Sequence, residues 1–448
     1  MTTIADLVRE ASADLHVASS ADECLKCNVC NTVCPVARVT DLFAGPKYEG
    51  PQAQRFRLAR GQVIDGPGST PVPSPDHSVD YCSGCGWCTT ACPAGVKIAE
   101  LNNQARARMR EGHRPKLRDW GLGQTDLTGS LGVLFAPIAN PVMRNRPIRA
   151  LIEALIGIHR YAPVPPFARR TFASTWRKRS RAAGGTAGRA AASIPEPGPD
   201  RAVVYFHGCS ANYYEPHVAE AAIDVLNRNG LEVIVPPQVC CGLPLVSNGL
   251  YREARGRARR NTDILAPYAR AGYRIVGTST SCTHTLKAEY EEMLDLHDDD
   301  TVAVARATWD ICELLLDLHD RGALDTRFGR LAGDLPYHAP CQLRSHGIGL
   351  PALDLLALVP GLRPLDMDHD CCGIAGTYGL KREKYDIAMR VGEPLFRAIV
   401  ETGAQEAVCD SETCRWQIQA ATGVRTRHPV EVLAEAYRAG DAERASSS

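Results

Sequence analysis

Eight cysteines in the first hundred residues define the chemistry. Cys24, Cys27, Cys30 and Cys34 precede Pro35, and Cys82, Cys85, Cys88 and Cys92 precede Pro93. Each run reads C-x2-C-x2-C-x3-C-P, the spacing that serves paired [4Fe–4S] cubes. A loop carrying the first three cysteines wraps three irons of one cube, and the fourth cysteine points away to a neighbouring cube. Such an arrangement needs two runs, and two are present. The expected sets are Cys24, Cys27, Cys30 and Cys92 for one cluster, and Cys82, Cys85, Cys88 and Cys34 for the other. Structural zinc uses paired two-cysteine knuckles and fits four cysteines in one run less well.

A second cysteine pattern fills the other half of the chain as an internal repeat. Cys209 and Cys341 lie 132 residues apart, as do Cys282 and Cys414; Cys240-Cys241 and Cys371-Cys372 lie 131 apart. Each copy thus has one cysteine, then Cys-Cys-Gly, then another cysteine. Vicinal cysteines rarely form disulfides, and two equivalent pairs argue for metal. Gly242 and Gly373 are expected to let the backbone approach a bulky inorganic cluster. Cys312 falls outside the pattern and reads as a core residue. His207, His338 and His346 flank the cysteines; tuning or proton relay and a satisfied core histidine are equal readings.

The elements that must position these residues are of two kinds. Residues 1–20 read as a short amphipathic helix, Gln52 to Gln62 as helical, 66–76 as a loop, and Val96 to Arg110 as a helix with Ile98, Leu101 and Ala105 on one side. From Ala202 onward strands alternate with helices, which implies parallel layered α/β architecture. Strands are expected at 202–206, 231–235, 274–276, 335–338, 362–365 and 406–408, and helices at 217–227, 251–269, 352–358 and 385–400. The carboxyl ends of parallel strands form one crevice, where the repeat's cysteines would converge. The fold class is α+β and multidomain: a helical two-cluster iron–sulfur domain (15–115), a basic helical connector (116–181), a linker (182–200), and two Cys-Cys-Gly (CCG) modules (201–320 and 335–440).

Composition narrows the partners. The chain has 448 residues with 51 basic and 51 acidic side chains, so it lacks the basic bias of a nucleic-acid binder. Its 18 cysteines serve a chain long enough to fold without disulfide staples. Met1 to Leu15 has no apolar signal region, and no apolar run reaches the ~20 residues that cross a bilayer. A cytoplasmic, reduced-thiol setting is expected, with the chain at most peripheral to a membrane. Residues 139–182 carry ten basic residues and one acid, Glu153. Leu151, Ile152, Leu155, Ile156 and Ile158 can line an apolar helix face there. That suits an anionic membrane surface, a partner subunit, or the protein's own core. Gly347-Ile348-Gly349 imitates a dinucleotide fingerprint, but Pro351 and the distance from the strand give the wrong context.

The doubled cysteine run followed by two CCG modules resembles the heterodisulfide-reductase-related iron–sulfur proteins. Within them it is most similar to the C subunits of anaerobic glycerol-3-phosphate dehydrogenase, from Cys24 to about Ala436. The strings that carry this are CPVARV (34–39), GPK (45–47), FAPI (135–138), FHGC (206–209), CCGLPL (240–245), CCGIAGTYG (371–379) and ETCRWQI (412–418). The resemblance implies an N-terminal [4Fe–4S] ferredoxin domain in an electron-transfer subunit. The subunit would serve a flavoprotein dehydrogenase that oxidises sn-glycerol 3-phosphate and would pass electrons to membrane quinone. It also implies one or two further iron–sulfur centres, bound by Cys209, Cys240, Cys241 and Cys282 and by Cys341, Cys371, Cys372 and Cys414. The superfamily ends each module in Cys-x-x-Cys, whereas Ser279 and Ser411 stand at the first of those positions here. Cys409 is a candidate substitute in the second module. Cubane clusters and empty modules both stay open. Other readings are the iron–sulfur subunit of a lactate or glycolate oxidase, a disulfide reductase, and an inert adaptor.

Overall fold

Ala202–Phe206 (β1) has the sequence AVVYF, buried along its whole length. A continuous apolar, β-branched and aromatic run is what a parallel strand covered on both faces requires. The computed structural model describes residues 17, 19–55, 75–110, 113–182, 198–368 and 371–447. β1 pairs in parallel with Glu232–Ile234 (β2) and Arg274–Gly277 (β3), and β3 with Thr308–Asp310 (β4). The second module repeats this with Gly333–His338 (β5), Leu362–Asp366 (β6), Glu406–Cys409 (β7) and Arg425–Arg427 (β8), in the order β6-β5-β7-β8. In both sheets the connections reverse direction at the central pair, so the crevice opens beside β1 and β3, and beside β5 and β7. β4 and β8 were not foreseen, because three-residue strands such as Arg-Thr-Arg carry too little apolar pattern.

Alternation along the strands divides the interior in three. Val203, Tyr205, Leu335, Tyr337 and Val408 enter one core that both modules share. Ala202, Val204 and Phe206 face the opposite side with Cys240, Cys241 and Cys282. Ala407 and Cys409 do the same beside Cys372 and Cys414. Cys312 is fully buried in the shared core, where it meets Asp310 and Asp410.

The N-terminal half is built from short helices. Val29–Thr32 and Trp87–Thr90 are single turns, and Ile98–Arg110 buries Ile98, Leu101 and Ala105. The helix expected at the very start of the chain lies almost wholly outside the described residues. So do the 56–62 part of the next helix, residues 66–74 of the expected loop, and 183–197 of the linker. Pro75–Tyr81 is a 3-10 helix.

The connector departs from a single amphipathic helix. It forms Leu117–Gly123, Thr125–Leu134, Ala136–Arg144, Arg146–Ile156 and Phe172–Ala182. Ile158 leaves the helical face and bridges to Lys381. Leu151 and Leu155 stay exposed, Leu155 by 76 %, while Glu153 turns inward to Arg160 and His159. Leu134, Phe135 and Ile138 add an exposed apolar corner that sequence reading missed. Among the described residues no helix is long and apolar enough to cross a membrane.

A buried ionic network ties the parts together. Asp119 is fully buried among Arg110 (2.8 Å), Arg118 (3.0 Å) and Lys381 (3.1 Å). Arg118 also grips Glu383 with two bonds of 2.7 Å. Lys384 reaches Asp80 at 3.0 Å and lies over the rings of Tyr81 and Tyr378. The N-terminal domain, connector and second module are thereby pinned to one another.

Candidate functional site

The two cysteine runs adopt the same local fold. Lys26 and Asn28 in the first, and Gly84 and Gly86 in the second, take left-handed backbone conformations at matching positions. Each pair turns the chain around its cysteines and starts a one-turn helix at Val29 or Trp87. The first loop is exposed, so it tolerates side chains there. The second is covered by the helix Cys341–His346, and a Cβ on Gly86 would collide with Ser345. Glycine there leaves room for the Ser345 hydroxyl.

Around the first loop, Cys24, Cys27, Cys30 and Cys92 line one small pocket. Burial raises the Cys30 thiol, with Cys24, Cys92 and Cys27 adding to the effect. In the second group, burial pushes Cys34 up to about 11, and Cys82 adds to it. Burial likewise raises Cys85, aided by Cys371, Cys34 and Cys82. Burial raises Cys88, aided by Cys85, Cys82 and Cys34. Cys92 thus lines the pocket of the first run, and Cys34 lies beside Cys82 of the second. Amide N–H groups already donate to these sulfurs: Ala37 to Cys34 and Gly84 to Cys82, both at 3.4 Å. Thiols this crowded and buried ionise together only beside compensating positive charge, which an iron–sulfur core supplies. The donor set fits that group.

In the first module Cys209, Cys240, Cys241 and Cys282 form a chain of sulfur contacts. In the second, Cys341, Cys371, Cys372, Cys414 and Cys409 do so. Cys372 and Cys414 stand 2.9 Å apart. Hydrogen bonds from neighbouring thiols, Cys209 first, hold Cys240 well below its ordinary value, and Cys341 and then Cys372 do the same for Cys371. The glycine of each Cys-Cys-Gly has a different task from the one expected. Gly242 and Gly373 have φ of +100° and +85° and donate their amides to the Sγ of Cys240 (3.5 Å) and Cys371 (3.3 Å). Their missing Cβ faces a helix rather than a cluster, and at Gly373 it would strike the Ala388 carbonyl. At Gly208 it is the Cβ position that comes close to sulfur, 3.0 Å from Cys282 Sγ.

A cavity of about 100 Å³ joins the sites. Cys85 of the N-terminal domain, Cys209 and Cys282 of the first module, and Cys341, Cys371 and Cys414 of the second all line it. The connector contributes Asp126, which accepts the Cys240 amide at 3.0 Å and pairs with Arg257 at 2.6 Å. The ETCRWQI string also acquires a role. Arg415 donates to the carbonyls of Cys409 (3.0 Å) and Asp410 (3.3 Å), and to Glu215 of the first module (2.6 Å). Trp416 donates to the same Glu215 at 3.0 Å. Two of the three flanking histidines have a partner: His207 Nδ1 lies 2.7 Å from the Gly208 carbonyl, and His346 Nε2 lies 3.0 Å from Thr283 Oγ1, while His346 Nδ1 has none. Gly347 and Gly349 make turns, not a phosphate loop.

Comparison with known proteins agrees with this arrangement. The 4Fe-4S dicluster domain family matches residues 20–96, and the cysteine-rich domain family matches 203–287 and 335–419. The chain is 36% identical over 424 residues to the C subunit of the anaerobic glycerol-3-phosphate dehydrogenase of Escherichia coli (strain K12), covering 93% of this chain and 99% of that one. It is 25% identical over 443 residues to the glycolate oxidase iron-sulfur subunit of the same organism, covering 97% and 98%. Lactate utilization protein A of Exiguobacterium sp. is 29% identical over 241 residues, 52% of this chain and 94% of that one.

Proposed function

Because the chain belongs to the family of anaerobic glycerol-3-phosphate dehydrogenase C subunits, and is thus an iron–sulfur electron-transfer subunit of an oxidoreductase, we propose that it carries electrons from a flavoprotein dehydrogenase to membrane quinone. The dehydrogenase in this reading oxidises sn-glycerol 3-phosphate. The ligand sets are Cys24, Cys27, Cys30 and Cys92; Cys82, Cys85, Cys88 and Cys34; Cys209, Cys240, Cys241 and Cys282; and Cys341, Cys371, Cys372 and Cys414 with Cys409. Iron–sulfur groups so bound supply one-electron storage and transfer.

The observation that carries the reading is the junction at Cys85. It faces Cys371 and Cys341 across the shared cavity, so the N-terminal domain abuts the second module directly. The residues around this junction hold position and exclude water. Tyr378, Ile387 and Ala388 of the second module pack on Cys34 and Cys82. At the other end Cys27 is exposed beside Leu25, which suits docking of an electron donor. The exposed Leu134, Phe135, Ile138, Leu151 and Leu155, near the exposed Arg144 and Arg146, support peripheral contact with the cytoplasmic face of a membrane.

The test is anaerobic capture of the native complex through this chain, followed by assay of its flavoprotein. Reduction of a quinone analogue with glycerol 3-phosphate is expected. Activity with glycolate or lactate instead would transfer the chain to the second relative's chemistry, and capture of no flavoprotein would refute the conduit.

A further inference from the structure

The two modules differ where their central strands end. Phe206 registers with Gly277 in the first sheet, and His338 with Cys409 in the second. These are matching rungs, because Tyr205 and Tyr337 stand one step earlier on each central strand and face Val276 and Val408. Registered partners in a parallel sheet project to the same face. Phe206 lies with Cys240, Cys241 and Cys282, and Cys409 lies with Cys372 and Cys414. His338 therefore occupies, on the cysteine side, a place that an inert phenyl ring fills in the first module.

Its surroundings are unusual for an imidazole. His338 is 2 % exposed, neither ring nitrogen meets a nitrogen or oxygen partner, and the side chain it acts on is the Cys414 thiol. Buried polar groups are nearly always satisfied, and an orphaned one calls for a ligand. One of its ring nitrogens and the sulfurs of Cys372 and Cys414 lie within 4.8 Å of one another. His207, the histidine of the first module that follows Phe206, already bonds the Gly208 carbonyl and is not orphaned in this way.

We infer that His338 is a nitrogen ligand of the iron–sulfur centre in the second module; this rests on the proposed reading that the module holds such a centre. The first module offers four thiolates and the second offers thiolates plus a neutral imidazole. Where His338 binds in place of a thiolate, the centre carries one negative charge less than with a thiolate there, and its reduction potential is higher for it.

The experiment uses the full chain, reconstituted anaerobically with iron and sulfide, with and without 15N-histidine. Pulsed EPR of the signal that Cys371→Ser removes should show a strongly coupled nitrogen that changes with the label. His338→Ala should lose that coupling, while His338→Cys should retain iron and lower the midpoint potential. An iron-loaded second module without histidine coupling overturns this inference alone. So does coupling that survives His338→Ala. A second module that takes up no iron overturns both the inference and the reading beneath it.

Discussion

Substituting Glu215 by alanine tests how the two modules hold each other. Arg415 is buried and takes its counter-charge from Glu215 Oε2 at 2.6 Å, while Oε1 accepts from Trp416 at 3.0 Å. Removing one partner of a buried pair costs about 3–5 kcal/mol, because the other charge is left uncompensated. Glu412 is a second carboxylate acting on Arg415, and its Oε2 has no partner, so it trims the cost. About 3 kcal/mol is therefore expected, equivalent to about 6–12 °C in melting midpoint for a unit of roughly 150–250 residues. Glu215→Gln leaves one acceptor oxygen and puts an NH2 donor in place of the other, so it can serve Arg415 or Trp416 but not both, and should cost about 1–3 kcal/mol. Glu215→Ala with Arg415→Met removes both charges, and should recover at least half of the loss. Arg415 also holds the carbonyls of Cys409 and Asp410, so Glu215→Ala should lower iron retained by the second module and spare the N-terminal clusters. Melting followed by circular dichroism and iron analysis after gel filtration are the assays. A Glu215→Ala midpoint within about 1 °C of wild type, or a double variant as unstable as the single losses added, would refute the reasoning.

Cys27→Ser should cost one [4Fe–4S] cluster and leave the other, read as a halving of N-terminal iron; stoichiometric zinc without iron in the wild type would contradict this. Burial alone would raise the Asp119 carboxyl, but Lys381, Arg118 and Arg110 outweigh it and hold the group down to about 2. Its contribution of about 2 kcal/mol is whole above the ordinary value near 3.8 and is lost as pH falls toward 2. Apo Asp119→Asn should accordingly lose this part of the acid dependence in denaturation between pH 5 and 2, and an unchanged profile would count against the network. Leu134→Glu with Leu155→Glu should weaken sedimentation with anionic vesicles at least tenfold, since burying each leucine is worth about 1.5–3 kcal/mol. Equal binding of the variant and the wild type would exclude that surface.

The sequence alone determined the parts that depend on local covalent spacing. Two C-x2-C-x2-C-x3-C-P runs imply two sulfur sets with Cys34 and Cys92 exchanged, and Cys92 lies beside the first run and Cys34 beside Cys82. Strands such as Ala202–Phe206 were legible because burial on both faces demands an unbroken apolar run. The 132-residue offset between Cys209 and Cys341 announced the repeated module. What spacing could not tell is which module the N-terminal domain touches, since Cys85 and Cys371 are remote in the chain and meet only through tertiary packing. The reason for glycine at 373 was also hidden, because the obstacle is the carbonyl of Ala388 on another helix. The difference between His207 and His338 is a further case: the 132-residue offset pairs His338 with Phe206, but only the sheet shows what each imidazole then faces. Both follow an aromatic residue at the end of a central strand, yet one sits one step past the strand and bonds a local carbonyl. The other is the strand's last rung, and a shift of one residue in a strand reverses the face to which a side chain points.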